Sequence, residues 1–334
     1  MPERILIVAP SWVGDAILSE PLVALLREPL EPAIVDVLAP PWCAPVYARM
    51  RGVRETISSP IAHGELKLGE RRALARVLRA NAYTRAFVLP NSLKSALIPW
   101  LARIPRRIGY VGEARGLLLT DARFLDAHAL PRLVDRFVAL AAAPGEIPPI
   151  SPIPVLVPDA ANAAEAMRSL GLATRRPVAV FCPGAEYGPA KRWPTEHFVT
   201  LARRLIDSGY AVWLIGSVND RGAADPIAQA VPDVRNACGR TDLGTAIDLL
   251  AQARVVVSND SGLMHAAAAV GRPLVALFGS SSPQFTPPLS PLARVARIEI
   301  ACSPCFQRQC PLGHFKCMRE LSPNVVYDLA RMTQ

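Results

Sequence analysis

The sequence predicts an α/β protein made of two doubly wound domains. Three observations carry that prediction. Short β-branched runs, each followed by a polar turn and an amphipathic or alanine-rich segment, recur through both halves of the 334-residue chain. Six prolines fall within residues 144–158, a stiff connection between the halves. Finally, Ser258-Asn259-Asp260-Ser261-Gly262-Leu263-Met264-His265 lies between the apolar run Val255-Val256-Val257 and the alanines at 266–269. That stretch reads as the end of a buried parallel strand and the start of a helix. In an open α/β sheet this carboxyl edge is the ligand side. Asp260 and Ser261 can cap the helix there, or the helix N–H groups can receive an anion.

Composition narrows the classes. At 51% hydrophobic and 19% charged, the chain is long enough to bury two substantial cores. The formal charge is +9, from 37 basic and 28 acidic residues spread over both halves, which favours an anionic partner. No zinc finger, aromatic-lined RNA motif or dense basic run points to nucleic acid. The first apolar run is too short for a signal peptide or membrane span, so a cytoplasmic location is expected. Seven cysteines, three of them scattered, fit a reducing compartment.

In the first half, residues 5–9 read as a strand leading into Pro10-Ser11-Trp12-Val13-Gly14-Asp15. Gly14 lets the backbone turn tightly, and Asp15 stands at the mouth of the sheet. Leu18, Leu22, Leu25 and Leu26 have helical spacing, which Pro21 interrupts. A dinucleotide fingerprint is absent. Residues 34–38 form the next strand, 43–50 a short helix, 63–69 a loop carrying Lys67, and 70–79 a basic-faced helix. A strand at 86–89 opens a second mouth, Pro90-Asn91-Ser92-Leu93-Lys94-Ser95, followed by a helix expected to stop before Pro99. Lys94 is placed to meet phosphate there, with Arg103, Arg106 and Arg107 nearby in sequence. Residues 108–110 are a short strand and 134–143 a helix.

The second half repeats the pattern. A helix at 162–170 precedes a strand at 178–181. The loop after it contains Gly184, Lys191 and Arg192, and Pro194 opens a helix that ends at Gly209. Further strands are read at 211–216, 234–239, 255–257 and 274–278, with a helix at 243–252. Residues 217–220 are a ligand-side loop, and Ser322 caps a final helix. His265 lies one turn after Ser261 and either orients a ligand or satisfies a buried acceptor. Cys302, Cys305, Cys310 and Cys317 are spaced C-x2-C-x4-C-x6-C, with His314 as a substitute ligand. Four thiolates could hold a structural zinc, but the later spacings are short for a two-knuckle site, and metal-free cysteines are the plainer reading.

Six segments together resemble the bacterial ADP-heptose:lipopolysaccharide heptosyltransferases, and within them the heptosyltransferase II group. They are Pro10 to Asp15, Leu89-Pro90-Asn91-Ser92-Leu93-Lys94-Ser95-Ala96-Leu97, Lys191-Arg192-Trp193-Pro194, Asn259 to His265, and the cysteine stretches Cys302 to Cys305 and Cys310 to His314. The resemblance implies the GT-B arrangement of two facing Rossmann-like domains with a cleft between them. It implies an N-terminal acceptor-binding domain over 1–150 and a C-terminal nucleotide-sugar domain over 151–321. Residues 322–334 would be a helix packing back on the N-terminal domain. The implied activity is inverting transfer of L-glycero-D-manno-heptose from ADP-heptose to the heptosylated inner core of lipopolysaccharide. Asp15 inherits the general-base role. Gly184, Lys191, Asp260, Ser261, Gly262, Leu263 and His265 would bind the donor, with Arg192 and Asp220 as further donor candidates. Trp12, Asn91, Ser92, Lys94, Lys67, Arg106 and Arg107 would serve the acceptor. No cofactor or catalytic metal is implied. The partners are ADP-heptose, a lipid A-linked acceptor and the inner membrane surface, contacted peripherally. First-heptose transfer, another GT-B transfer, a nucleotide-sugar epimerase and a nonenzymatic anion-binding module are the alternatives.

Overall fold

The structure is a computed structural model that describes residues 2–27, 33–61 and 65–332. Part of the expected 63–69 loop therefore lies outside the described residues. The chain divides into two compact units, Met1–Leu156 and Val157–Gln334. The break falls six residues later than the sequence suggested, for a visible reason. Ser151 Oγ donates to Asp135 at 2.7 Å, and the Val155 N–H donates to the buried Glu20 carboxylate at 3.1 Å. The end of the proline-rich connection is thus tied into the first unit. Burial pushes Glu20 up to about 7.

The first unit contains β1 (Arg4–Val8), α1 (Val13–Leu18), α2 (Glu20–Leu25), β2 (Ile34–Ala39), α3 (Ala44–Tyr47) and β3 (Val53–Ser58). It continues through α4 (Leu68–Ala80), β4 (Arg85–Val88), α5 (Leu93–Leu101), β5 (Arg106–Tyr110), β6 (Asp121–Arg123) and α6 (Leu133–Ala139). Its strands are all parallel, in the order β3-β2-β1-β4-β5-β6. Ile5, Leu6 and Ile7 of β1 are fully buried, as a central strand covered on both faces requires. The two outer strands, β3 and β6, were not anticipated. Their sequences, VRETIS and DAR, are polar and partly exposed and lack an apolar run. Pro21 opens α2 rather than kinking one long helix.

Pro99 corrects another expectation, because α5 runs through it to Leu101. Proline forfeits the bond to the carbonyl four residues back, here Ser95 in the first turn of α5. Only the start of the ladder is weakened, and the Ala102 N–H still reaches the Ile98 carbonyl at 2.9 Å.

The second unit contains α7 (Ala160–Ser169), β7 (Val178–Cys182), α8 (Thr195–Asp207), β8 (Ala211–Leu214), α9 (Arg221–Ala230) and β9 (Arg235–Asn236). Then come α10 (Leu243–Leu250), β10 (Val255–Asn259), α11 (Gly262–Ala269), β11 (Leu274–Leu277), β12 (Ala293–Ala296), α12 (Lys316–Arg319) and α13 (Pro323–Met332). The parallel order is β12-β11-β10-β7-β8-β9. Each unit thus has the doubly wound, Rossmann-like fold of a GT-B half. β10 is buried along its whole length at the centre. The terminal helix is an integral part of this unit rather than a separate segment. Val326, Tyr327 and Ala330 of α13 share one apolar core with Phe198 and Leu201 of α8.

Asp248 on α10 fastens α7 to the second unit. Its carboxylate is buried and accepts the Asp159 N–H at 2.9 Å and the Asn162 side-chain amide at 2.7 Å. Asp248→Ala would remove the acceptor of the Asp159 N–H and leave the Asn162 amide only its longer bond to the Thr245 hydroxyl at 3.3 Å. It is expected to lower stability by about 3 kcal/mol in urea unfolding, and a loss below about 1 kcal/mol would show that the donors find other partners.

Candidate active site

The carboxyl edge of the second sheet is organised by a charge pair. The Asp260 carboxylate accepts from Lys191 Nζ at 2.5 Å and from the Ser281 hydroxyl. Asp260 follows β10, Lys191 ends a 3-10 turn in the loop after β7, and Ser281 lies in the loop after β11. Three adjacent strands thus each contribute one side chain at the same edge. Lys191 Nζ also stands 4.9 Å from the Tyr187 ring centroid, a cation–π contact. The Tyr187 hydroxyl donates to the Phe306 carbonyl at 2.6 Å, which fixes the ring.

Capping is not what Asp260 and Ser261 do. Ser261 occupies the N-cap of α11 in extended conformation, yet its side chain makes no cap bond. Asp260 is committed to Lys191 and Ser281. The first turn at Gly262 and Leu263 therefore lacks a side-chain cap, the arrangement that suits an incoming anion. His265 is 5% exposed. Burial pushes it down to about 4, which the Asp260 charge opposes and the Lys191 charge reinforces. It is a neutral imidazole behind the ion pair.

Asn259 belongs to the stretch that marks the strand–helix junction, but its own role is visible only in the structure. It is fully buried, accepts the Trp193 N–H at 3.1 Å and donates to the Pro183 carbonyl at 2.7 Å. One amide therefore ties both ends of the β7 loop, and hence Lys191, to β10. The Trp193 indole is itself anchored by donating to the Leu321 carbonyl at 2.9 Å.

Two loop residues take roles other than those expected. Gly184 makes room for Asp220, since an added Cβ would lie 1.8 Å from the Asp220 carboxylate. Asp220 in turn accepts the Ser217 N–H at 2.8 Å and the Ser217 hydroxyl at 2.9 Å. Both residues thus shape the mouth beside the ion pair. Arg192 donates to the Ala185 carbonyl at 3.4 Å.

In the first unit, Asp15 lies in the first turn of α1, while Trp12 takes the N-cap without a side-chain cap bond. The carboxylate is partly exposed at the carboxyl edge of β1. Trp12 is 43% exposed. The loop before it is braced from β2, because the Trp42 indole donates to the Ser11 carbonyl at 2.8 Å. Burial, reinforced by the Asp15 charge, raises Cys43 to about 12.

The Asn91 loop depends on a residue that gave no sequence signal. Arg115 is fully buried. Its guanidinium donates to the Tyr110 carbonyl at 2.7 Å, the Ser95 hydroxyl at 3.2 Å, the Asn91 side-chain oxygen at 3.0 Å and the Pro90 carbonyl. Burial pulls its pKa down to about 10, so it stays charged near neutrality. Ser92 caps α5 by accepting the Ser95 N–H at 3.3 Å. Lys94 sits in the first turn of that helix.

The other proposed cations separate. Lys67 pairs with Glu65 at 2.9 Å and Glu70 at 3.6 Å. Arg106 and Arg107 begin β5, so they lie at the amino edge, whereas Lys94 begins α5 at the carboxyl edge. Nine helical residues, about 13 Å, separate the two ends. Arg107 is spent on the Leu118 carbonyl at 2.6 Å.

All seven cysteines are free thiols. Cys302, Cys305, Cys310 and Cys317 do converge on one small cavity with His314. Among the described residues, however, no group of three or more His, Cys, Asp or Glu side chains is placed to hold a metal ion. Nor is any helix among them long and apolar enough to cross a membrane.

Residues 71–316 match the model of glycosyltransferase family 9 (heptosyltransferase). The chain is 46% identical to lipopolysaccharide heptosyltransferase 2 of Salmonella typhimurium, over 97% of each chain. It is 48% identical to lipooligosaccharide heptosyltransferase 2 of Haemophilus influenzae, over 88% of each. The solved structure of ADP-heptose lipopolysaccharide heptosyltransferase II from E. coli superposes with a TM-score of 0.89 at 42% identity, covering 99% of this chain and 98% of that one.

The buried imidazole gives a pH dependence with a definite sign. Native His265 titrates near 4, below its ordinary 6.5, so between those values the unfolded chain binds the proton more readily. Its contribution to stability is complete above about 6.5 and is lost as pH falls toward 4. Glu20, raised to about 7, contributes the opposite slope over the same range, so the His265 contribution is read as a difference: in urea unfolding at pH 7, 6 and 5, His265→Gln is expected to lose less stability on acidification than the native chain. A residual slope is expected from His197, which burial also lowers. Identical slopes in both proteins would contradict the assignment.

Proposed function

This chain belongs to glycosyltransferase family 9, the heptosyltransferases, and we propose that it performs the inverting second-heptose transfer with Asp15 as base. It is an ADP-heptose-dependent glycosyltransferase that adds heptose to the inner core of lipopolysaccharide. The observation that carries the mechanistic reading is the Lys191–Asp260 pair beside the uncapped start of α11. In this reading the second unit takes the donor diphosphate and the first unit takes the acceptor.

The acceptor hydroxyl oxygen attacks the anomeric carbon as Asp15 removes its proton. A new carbon–oxygen bond forms on the face opposite the one that breaks, and ADP departs with the bonding electron pair. Lys191 and the N–H groups at Gly262 and Leu263 meet the charge developing on ADP. Asp260 aims the lysine, and neutral His265 adds no competing charge. This scheme uses no resident cofactor, and the zinc considered for the cysteines has no part in it. Asn91, Ser92 and Lys94 form the acceptor side, with Trp12 beside Asp15. Because the acceptor is anchored through lipid A, the enzyme works at the cytoplasmic membrane surface as a peripheral protein.

Asp15→Asn keeps the shape of the first turn and removes the base. Heptose transfer to an inner-core acceptor is expected to fall at least 100-fold, within the usual range for general-base loss, with ADP affinity and thermal stability retained. Near-normal turnover would sink the base assignment.

Lys191→Ala is expected to weaken ADP binding at least 10-fold in calorimetric titration, in line with a lost charge-assisted phosphate contact. Unchanged affinity would remove Lys191 from the donor site.

A further inference from the structure

The second unit carries a basic cavity that the transfer reaction does not use. It measures about 370 Å³ and is lined by Arg176, Arg254 and Arg272, together with Thr174, Gln252 and Trp213. Strand direction puts it at the amino edge of the sheet. Arg254 immediately precedes β10, and its backbone N–H donates to the carbonyl of Val178, the first residue of β7, at 2.8 Å. Arg272 comes just before β11. Lys191 and Asp260 lie beyond the other ends of these strands. Five residues of β-strand, about 16 Å, therefore separate the cavity from the ion pair.

Two features distinguish this cavity from an ordinary basic surface. Three guanidinium-bearing residues line it, and no carboxylate does. The Nε of Arg272 is also shut off from solvent and has no hydrogen-bond partner. A buried donor left unpaired calls for a missing acceptor. Arginine's planar fork matches phosphate oxygens in pairs. The volume exceeds that of a phosphate group several-fold, taking about 30 Å³ per water-sized unit.

We propose that this cavity is a second anion site, separate from the donor site, that binds a phosphate group through Arg272 and Arg176. Thr174 and Gln252 supply neutral polar groups at its wall. The phosphate belongs either to a free phosphate ester or to an anionic lipid headgroup.

Pyrophosphate is the probe, titrated calorimetrically into the full-length protein carrying Lys191→Ala, which cripples the donor site. Binding is expected to persist there and to weaken at least 10-fold when Arg272→Met is added. Arg176→Met, at an exposed position, is expected to weaken it as well and serves if the first substitution prevents folding. In the otherwise native enzyme, Arg272→Met is expected to leave heptose transfer without added pyrophosphate unchanged. Cosedimentation with phosphatidylglycerol vesicles, against phosphatidylcholine, identifies the source. Loss of vesicle binding in Arg272→Met assigns a headgroup, and loss of pyrophosphate binding alone assigns a free phosphate. Pyrophosphate binding abolished by Lys191→Ala alone, or unaffected by both arginine substitutions, would overturn the proposal.

Discussion

The 2.5 Å contact between Lys191 and Asp260 is the constraint around which the second unit is arranged. An almost fully buried carboxylate is costly unless it is paired and hydrogen-bonded, and here it receives both a lysine and a serine hydroxyl. The pair can form only if the β7 loop returns to β10. The Asn259 amide secures that return by holding Trp193 and Pro183 at once. The apolar packing behind it does the rest, with the Trp193 ring edge-on to Phe198 at 4.9 Å. Lys191 is therefore preorganised, and little conformational freedom remains to be lost when a diphosphate arrives.

The first unit solves a similar problem with a single buried cation. Arg115 gathers acceptors from both sides of the β4–α5 turn and from the end of β5. Gly112 permits the close approach this needs, since a Cβ there would lie 2.9 Å from the Asn91 carbonyl. Arg71 acts likewise one layer out, donating to the carbonyls of Leu66 and Lys94 at 2.6 and 2.9 Å. Both arginines are consumed by backbone and neutral oxygens. The net positive charge of the chain is thus a poor guide to which cations can meet a ligand, because several of them hold loops.

Much was legible in the sequence because it rests on short-range rules. Val255-Val256-Val257 dictates a strand covered on both faces, and the alanines after Gly262 dictate a helix, so Asp260 had to lie at the sheet's carboxyl edge. The same reasoning placed Asp15 after β1 and Asn91 after β4. Each is a local statement about where a strand must end.

Tertiary structure alone decided which of these edge residues meet. Lys191 and Asp260 are 69 residues apart, and no spacing rule links them. Sequence proximity misled for Arg106 and Arg107, which follow Lys94 closely but emerge at the opposite edge after one helix has crossed the sheet. Arg115 gave no signal in the sequence and is fully buried. Gly184 looked free to cradle a ligand and proved to be the space Asp220 fills. The physical reason is common to all four. Strand and helix periodicity depends on the backbone over a few residues, whereas burial and pairing of charge depend on which loops the sheet order brings side by side.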